Sequence, residues 1–257
     1  MNRINDRVTF KFVHIPTITV VQENGTIDFD SLDWSALRPK GGRFANEKQD
    51  EFVYHVLAKH LENPGFFLDV GCAHPKDGSN TYIFEKYLGW SGIGFDVGDV
   101  ERDADWSLHR NSEFCQVDAT SEKFTDILRE RVGDRIVDYI SVDVDFGAST
   151  ILAHKALKRI MDADIKFKVM TLEHEYFKYG NLVTEPTRDI LTQLGYKMLF
   201  KNVAFPEGPG SAGFEDWWVN PELLPDKEIM NIGGEGLVYH ECVNRVKMFK
   251  RKNNEGK

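Results

Sequence analysis

Short apolar runs alternate with amphipathic stretches along most of this 257-residue chain. The apolar runs predict β-strands at 66–71, 91–96, 113–117, 136–143, 165–172, 196–203 and 214–219. Helical spacing between them predicts helices near 79–88, 121–131, 149–162 and 184–194, the last with Pro186 in its first turn. Such alternation is typical of α/β proteins. We therefore expect a mostly parallel seven-stranded sheet with helices on both faces.

The flanking sequence predicts two smaller segments around one main domain. Residues 1–45 alternate with the period of strands and pass through turn sequences, which predicts a β-rich N-terminal appendage. Helical spacing begins at Asn46, and "NPG" at 63–65 predicts its end. We place the main domain at 46–221 and a C-terminal extension with a basic tail at 222–257.

Composition argues against several classes of protein. The net charge of -9 disfavours nucleic acid as a partner, because such binding needs clustered Lys and Arg. Three widely spaced cysteines predict a reducing compartment. No signal-peptide core and no apolar run of roughly 18 residues is present, so we expect a cytoplasmic protein without a membrane span. Oligomeric state has no signal in the sequence.

The turn after the first predicted strand carries the clearest chemical signal. "FFLDVG" places Asp69 and Gly71 at the carboxyl end of a strand, where ligands of open α/β sheets bind. A dinucleotide site would need two further glycines, but Ala73 and Lys76 stand in their places. S-adenosylmethionine has no phosphate and carries a cationic sulfonium and an ammonium. A carboxylate and one glycine at this turn favour that ligand over a dinucleotide.

Two later strands end in the same way. Asp96 closes "IGIGFD" and is placed to bind the ribose hydroxyls, and Asp118 follows "CQV", where it could accept from the adenine amino group. An aspartate at a strand end is also a common N-cap for the next helix, and "DATSEKF" fits that alternative. The joint occurrence of acids on three successive strands favours a cofactor site.

The segment "GFFLDVGCAHPKDGSNTYIFEKYLGWSGIGFDV" resembles the motif region of the FkbM-type methyltransferases. "VDYISVDVD", "VMTLEHE" and "EDWWVNP" are similar to later motifs of that family, so the resemblance covers about 48–221. It implies a Rossmann-like class I methyltransferase fold that uses S-adenosylmethionine, usually to methylate oxygens of sugars or other small hydroxyl compounds. By position, it assigns cofactor binding to Asp69, Gly71, Asp96 and Asp118, with Asn80 and Thr81 bracing the first turn. We add Ala73 and Asp143 to the predicted cofactor site.

The acceptor side is predicted at the ends of strands four and five. Asp143 and Asp145 share one face of "YISVDVDFG", and Glu173 precedes His174 in "TLEHEY". We assign Asp145, Glu173 and His174 as catalytic candidates, with His174 as general base. Alternatively, Asp143, Asp145 and Glu173 bind a divalent cation such as Mg²⁺. In a third interpretation, Asp143 only orients the cofactor and His174 is a satisfied buried histidine.

The family pattern is not fully kept on this side. Phe146 follows Asp145 where the family has glycine, and Glu175 stands where it has asparagine. The function best supported by the sequence is S-adenosylmethionine-dependent O-methylation of a small, carbohydrate-type acceptor. Two alternatives stay open: a non-catalytic cofactor-binding or scaffold protein, and an NAD-dependent sugar-modifying oxidoreductase.

Overall fold

Eight strands form a single sheet in the order β3-β2-β1-β4-β5-β7-β6-β8. The computed structural model describes residues 34, 44–98, 100–144 and 152–254, without the side chains of 100–104 and 250–254. The strands are β1 (Phe66–Val70), β2 (Ser91–Asp96), β3 (Glu113–Gln116), β4 (Val137–Val142), β5 (Phe167–Glu173), β6 (Lys197–Val203), β7 (Glu215–Val219) and β8 (Gly234–Glu235).

The first five strands are all parallel, and β7 runs antiparallel between β5 and β6. Strand order reverses beside β1, which has β2 on one side and β4 on the other. This order defines a Rossmann-like α/β fold and confirms the predicted class. The predicted number of seven strands is wrong by one. The missing strand, β8, has two residues that pair with Phe200 and Lys201, too few to produce a periodic signal.

Eight α-helices are present in the described part of the chain: α1 (Gln49–Val56), α2 (Tyr82–Leu88), α3 (Val100–His109), α4 (Glu122–Arg131), α5 (Ala153–Asp162), α6 (Tyr176–Tyr179), α7 (Asn181–Gln193) and α8 (Tyr239–Asn254). The four helices predicted between the strands are confirmed with shifted ends. Helix α7 begins three residues earlier than predicted, so Pro186 lies inside it rather than in its first turn.

Apolar side chains fill both sides of the sheet. A large core lies against α4, α5 and α7 and includes Leu68, Ile140 and Trp218. On the other side Trp217 stacks on Phe52 of α1, with ring centroids 4.3 Å apart. Neighbouring residues of β7 therefore face opposite sides of the sheet, as strand geometry requires. Burial of these rings stabilises the packing of the sheet against its helices. It therefore also holds the strand ends, which carry the candidate site, in place.

The C-terminal segment packs onto the main domain. Helix α8 lies against α1, where Lys247 contacts Glu51. The predicted domain boundaries stay predictions, because most of the N-terminal appendage lies outside the described residues. Across the described ranges, every helix is too short or too polar to cross a bilayer.

Candidate functional site

The turn between β1 and α2 surrounds a cavity of about 160 Å³. This cavity lies at the carboxyl ends of β1 and β4, where strand order reverses and ligands of such sheets bind. Five predicted cofactor residues line it, namely Asp69, Gly71, Ala73, Asn80 and Asp143. The remaining lining residues are Asn46, Cys72, Asp77, Gly78 and Ser79.

Asp69 is the buried carboxylate of the cavity. Its Oδ2 accepts a 2.6 Å hydrogen bond from the Thr81 hydroxyl. Burial, aided by the charges of Asp143 and Asp96 and opposed by the Thr81 hydrogen bond and the Arg110 charge, raises the pKa of Asp69 to about 6. The fold thus holds an acid whose ionised form lacks full compensation. A ligand cation beside Asp69 would supply the missing charge.

Gly71 brings the turn close to β4. Its φ of +84° lies in the left-handed region, and a Cβ there would stand 1.9 Å from the carbonyl oxygen of Asp143. Asp143 in turn donates its amide to the Val70 carbonyl at 2.9 Å. The sequence predicted a glycine for close approach of a ligand. The structure adds an internal reason, which is close approach of the β4 backbone.

Asp96 joins two turns of the site. Its Oδ2 accepts the Ala73 amide at 2.9 Å, and its Oδ1 accepts the Gly98 amide at 2.8 Å. Ala73 has a φ of +42°, so this bond stabilises a turn that L-residues rarely adopt. Asn80 is buried and donates to the Ser141 hydroxyl at 2.9 Å. These contacts fix the first turn against both neighbouring strands.

Asp118 lies one strand further out and is exposed. Its Oδ1 accepts both the amide and the hydroxyl of Thr120 at 2.8 Å. The N-cap of α4 is Ser121, whose side chain accepts from the Phe124 amide. Val117 donates to the Asp96 carbonyl at 2.8 Å, which keeps the ends of β2 and β3 adjacent. Asp118 therefore stands at the edge of the site and stabilises the turn before α4.

Three acids meet at the ends of β4, β5 and β7. Glu173 hydrogen bonds to Asp143; burial, then the charge and hydrogen bond of Asp143, raise the pKa of Glu173 far above its ordinary value. Glu215 pairs with Glu173 across the strands and accepts from Gln49 at 3.2 Å and Trp217 at 2.6 Å. Burial also raises the pKa of Glu215 strongly. The raised pKa of Glu173 favours its protonated form, which would donate this hydrogen bond to Asp143.

His174 turns away from this group of acids. The ring is fully buried, its Nδ1 accepts the Tyr176 amide at 3.1 Å, and its Nε2 lies 3.2 Å from Oδ1 of Asp216. The Nε2 proton does not align well with that oxygen, so the contact is chiefly electrostatic. Asp216 also accepts two hydrogen bonds from Arg188, at 2.8 and 3.0 Å. The ring thus faces Asp216 rather than the acids, which argues against a general base, and its Nε2 makes an ion-pair contact rather than the hydrogen bond of a satisfied histidine.

The predicted metal site has no support from the described residues. None of their His, Cys, Asp and Glu side chains form a group of three that could hold an ion. Asp145 and Phe146 lie outside the described residues. Glu175 adopts a left-handed φ of 44° and pairs with Lys178 at 3.0 Å. Asparagine, which the resemblance leads us to expect here, tolerates that conformation better than glutamate does.

Arg110 is the main residue that sequence reasoning missed. It follows α3, a helix that was not predicted, although its sequence "VERDADWSLH" is less charged than that of the predicted helix α4. Its guanidinium is buried directly behind the β1–α2 turn and donates to the Pro75 carbonyl at 2.9 Å. No motif marks this arginine in the sequence, because its partners come from another part of the chain.

Comparison with known proteins gives distant structural similarity only. No family model matches the sequence, and neither does a curated protein. The Burkholderia thailandensis 1,6-didemethyltoxoflavin-N1-methyltransferase, solved with S-adenosylhomocysteine, is 15% identical, with a TM-score of 0.39 over 68% of this chain and 77% of that one. The plantazolicin methyltransferase BpumL, also with S-adenosylhomocysteine, is 12% identical, with a TM-score of 0.39 over 68% and 82%. The strand order, rather than these similarities, defines the fold.

Proposed function

We propose that this protein is an S-adenosylmethionine-dependent methyltransferase. The observation that carries the proposal is a row of four aspartates, Asp69, Asp96, Asp118 and Asp143, at the ends of four adjacent parallel strands or within two residues after them. They stand at the point of the sheet where strand order reverses and ligands of this fold bind. Carboxylates in this place suit a cationic nucleoside without phosphates.

Each part of the cofactor has a candidate partner. Asp69 and the cavity beside it fit an ammonium group, because the buried carboxylate lacks full charge compensation. Asp96 is assigned to the ribose and Asp118, at the edge of the site, to adenine. A pyrophosphate fits poorly, since Ala73 and Lys76 replace the glycines and carboxylates face the cavity.

The Asp143–Glu173 pair is the candidate for acid–base chemistry. When bound, S-adenosylmethionine supplies a methyl group activated by its sulfonium, and transfer to a hydroxyl oxygen leaves S-adenosylhomocysteine and one proton. The Asp143 carboxylate, which accepts a hydrogen bond from Glu173, is placed to take up that proton. Glu173 positions Asp143 through this hydrogen bond. This role replaces the predicted one of His174, whose ring faces Asp216.

The acceptor class is the finer part of the proposal. Resemblance to the FkbM-type family supports an O-methyltransferase acting on a sugar or another small hydroxyl compound. The polar character of the described strand ends is compatible with such an acceptor, and no metal is included. NAD-dependent chemistry is disfavoured by the missing glycines and by the carboxylates at the cavity.

Methyl-labelled S-adenosylmethionine and a panel of sugars and small alcohols test this function. We expect label in at least one acceptor and S-adenosylhomocysteine as the second product. Asp143→Asn should lower kcat by about 10²-fold or more, the usual range for loss of a general base. Asp126→Asn, on the exposed face of α4, is the matched control and should leave kcat unchanged.

Two results would contradict parts of the proposal. Cofactor binding without transfer to any acceptor would favour the non-catalytic alternative. Binding of NAD in place of S-adenosylmethionine would overturn the methyltransferase assignment itself.

A further inference from the structure

Arg110 places a buried positive charge behind the candidate cofactor turn. Its side chain is fully buried, and Nε donates to Glu85 at 2.7 Å. Nη1 donates to the Pro75 carbonyl at 2.9 Å and to the Ser79 hydroxyl at 3.1 Å, and Nη2 donates to the Thr81 hydroxyl at 2.9 Å. All three nitrogens of the guanidinium thus have partners, and three of the four partners belong to the β1–α2 turn.

Aromatic rings hold the guanidinium in this orientation. Its carbon lies 4.5 Å from the ring centroid of Trp106 and 5.4 Å from that of Phe67. Glu85, the ion-pair partner, is itself fixed by the Ser112 hydroxyl at 2.6 Å. Burying a guanidinium is unfavourable unless its charge and donors are satisfied. The planar fork of arginine meets this demand, whereas the single ammonium of lysine would not.

Thr81 connects Arg110 to the cavity. Its hydroxyl accepts from Nη2 of Arg110 and donates to Oδ2 of Asp69 at 2.6 Å, a short charge-assisted bond. Because the same hydroxyl accepts from Arg110 and donates to Asp69, the arginine orients the hydrogen bond that Thr81 donates to Asp69. Ser79 acts in parallel, since its hydroxyl accepts from Arg110 and from the amides of Thr81 and Tyr82. Arg110 therefore stabilises both the start of α2, through Ser79, and the Asp69 carboxylate, through Thr81.

We propose that Arg110 is a positioning residue of the cofactor site, which acts through Thr81 and Ser79 to hold the β1–α2 turn and the Asp69 carboxylate in their ligand-binding arrangement. This inference rests on the proposed function for the identity of the ligand. Its structural part, the coupling of Arg110 to Asp69, can be measured without any ligand.

The ionisation of Asp69 reports this coupling. The groups that face Asp69 are Asp143 and Asp96 on the neighbouring strand ends, Cys72 and Tyr139, and the cation Arg110. Burial and the two acids raise the pKa of Asp69 to about 6, and Arg110 and Thr81 lower it. Loss of Arg110 should therefore raise this pKa further, by about one pH unit or more.

Carboxyl-carbon NMR titration of Asp69 in the ligand-free protein is the test. Arg110→Met should move its midpoint upward from about 6, and Thr81→Val, which keeps the shape of the side chain, should move it in the same direction by less. Arg188→Met is the matched control, because Arg188 is a partly buried arginine that is also held in an ion pair, but with Asp216. If Arg110→Met does not fold, Thr81→Val alone decides, since it removes the link without leaving Glu85 unpaired.

Calorimetry with S-adenosylmethionine separates this inference from the proposed function. We expect Arg110→Met and Thr81→Val to weaken binding, with the loss growing as pH falls. An unchanged Asp69 midpoint in both variants would overturn the positioning role and leave Arg110 a structural residue. Shifted midpoints with no binding by the unmodified protein would instead overturn the proposed ligand while confirming the coupling.

Discussion

At the scale of single residues, the site depends on a close backbone contact at Gly71 that leaves no room for a side chain there. Gly71 has no side chain, so the Asp143 carbonyl can occupy the space where one would lie. This contact sets the distance between the segments that follow β1 and β4. Asp69 and Asp143, two of the three carboxylates that line the cavity, belong to the segments that meet there. A change at this glycine therefore affects folding and the cavity together.

Gly71→Ala should be among the most destabilising alanine substitutions at any glycine. Its Cβ would overlap a backbone carbonyl that cannot move aside, in addition to the left-handed strain at φ +84°. We expect the free energy of unfolding to fall by at least about 3 kcal/mol in urea titrations. Gly195→Ala has a similar φ of +82° with no atom within 4 Å, so it should cost only about 1–2 kcal/mol. Equal losses in the two variants would show that contact with Asp143 is unimportant.

Sequence reasoning located these residues better than it explained them. Asp69, Asp96 and Asp143 were predicted at one edge because the carboxyl ends of neighbouring parallel strands meet there. Their partners could not be predicted, since a carboxylate can accept from many groups and the donors come from distant segments. The Ala73 amide on Asp96 and the Arg110 contact with Thr81 are two such cases.

At the scale of elements, a buried ion network connects α7, β6 and β7. Asp216 on β7 accepts from Arg188 on α7 and from the Asn202 amide on β6, and it lies beside His174 at the end of β5. Burial opposes ionisation of Asp216, but His174 and Arg188 more than offset it and hold its pKa to about 2. The network holds the antiparallel strand β7 in place, and β7 carries Glu215 to its position opposite Glu173.

Asp216→Asn should reduce the free energy of unfolding near neutral pH by about 3 kcal/mol, because it leaves Arg188 without its buried partner. Because the pKa of Asp216 is lower in the folded state, its ionised form stabilises the fold fully above about pH 4, near its ordinary pKa. This stabilisation is lost as the pH falls through about 2. The difference between variant and unmodified protein should thus narrow by about 1 kcal/mol from pH 5 to about pH 3. A constant difference in urea titrations at both pH values would argue against ionised Asp216.

Elements with strong periodicity were predicted, and elements defined by their neighbours were not. Strands β1 to β7 were predicted from short runs of apolar residues in the sequence. Strand β8 exists because β6 offers it a free edge. Pro186 was assigned to a first turn from its usual preference, while the helix begins before it. Tertiary context decided each of these cases.

At the scale of the whole molecule, the candidate site concentrates negative charge at one edge of the sheet. Asp69, Glu173 and Glu215 there have raised pKa values, for which burial is the largest cause and the charge of Asp143 a further one. Mutual repulsion and burial raise several of their pKa values, which is unfavourable in the free protein. A positively charged ligand relieves this repulsion, so the electrostatics and the strand order support the same class of cofactor.

Calorimetric titration with S-adenosylmethionine near pH 7 and near pH 5 tests the central claim most directly. Asp69 has a pKa of about 6, so it is mostly ionised at the higher pH and mostly protonated at the lower one. Since a cationic ligand needs the ionised form, we predict one-to-one binding that is about tenfold weaker near pH 5. Asp69→Asn should weaken binding near pH 7 and remove the pH dependence. Equal affinity at both pH values, or no binding at either, would contradict the assignment of this site.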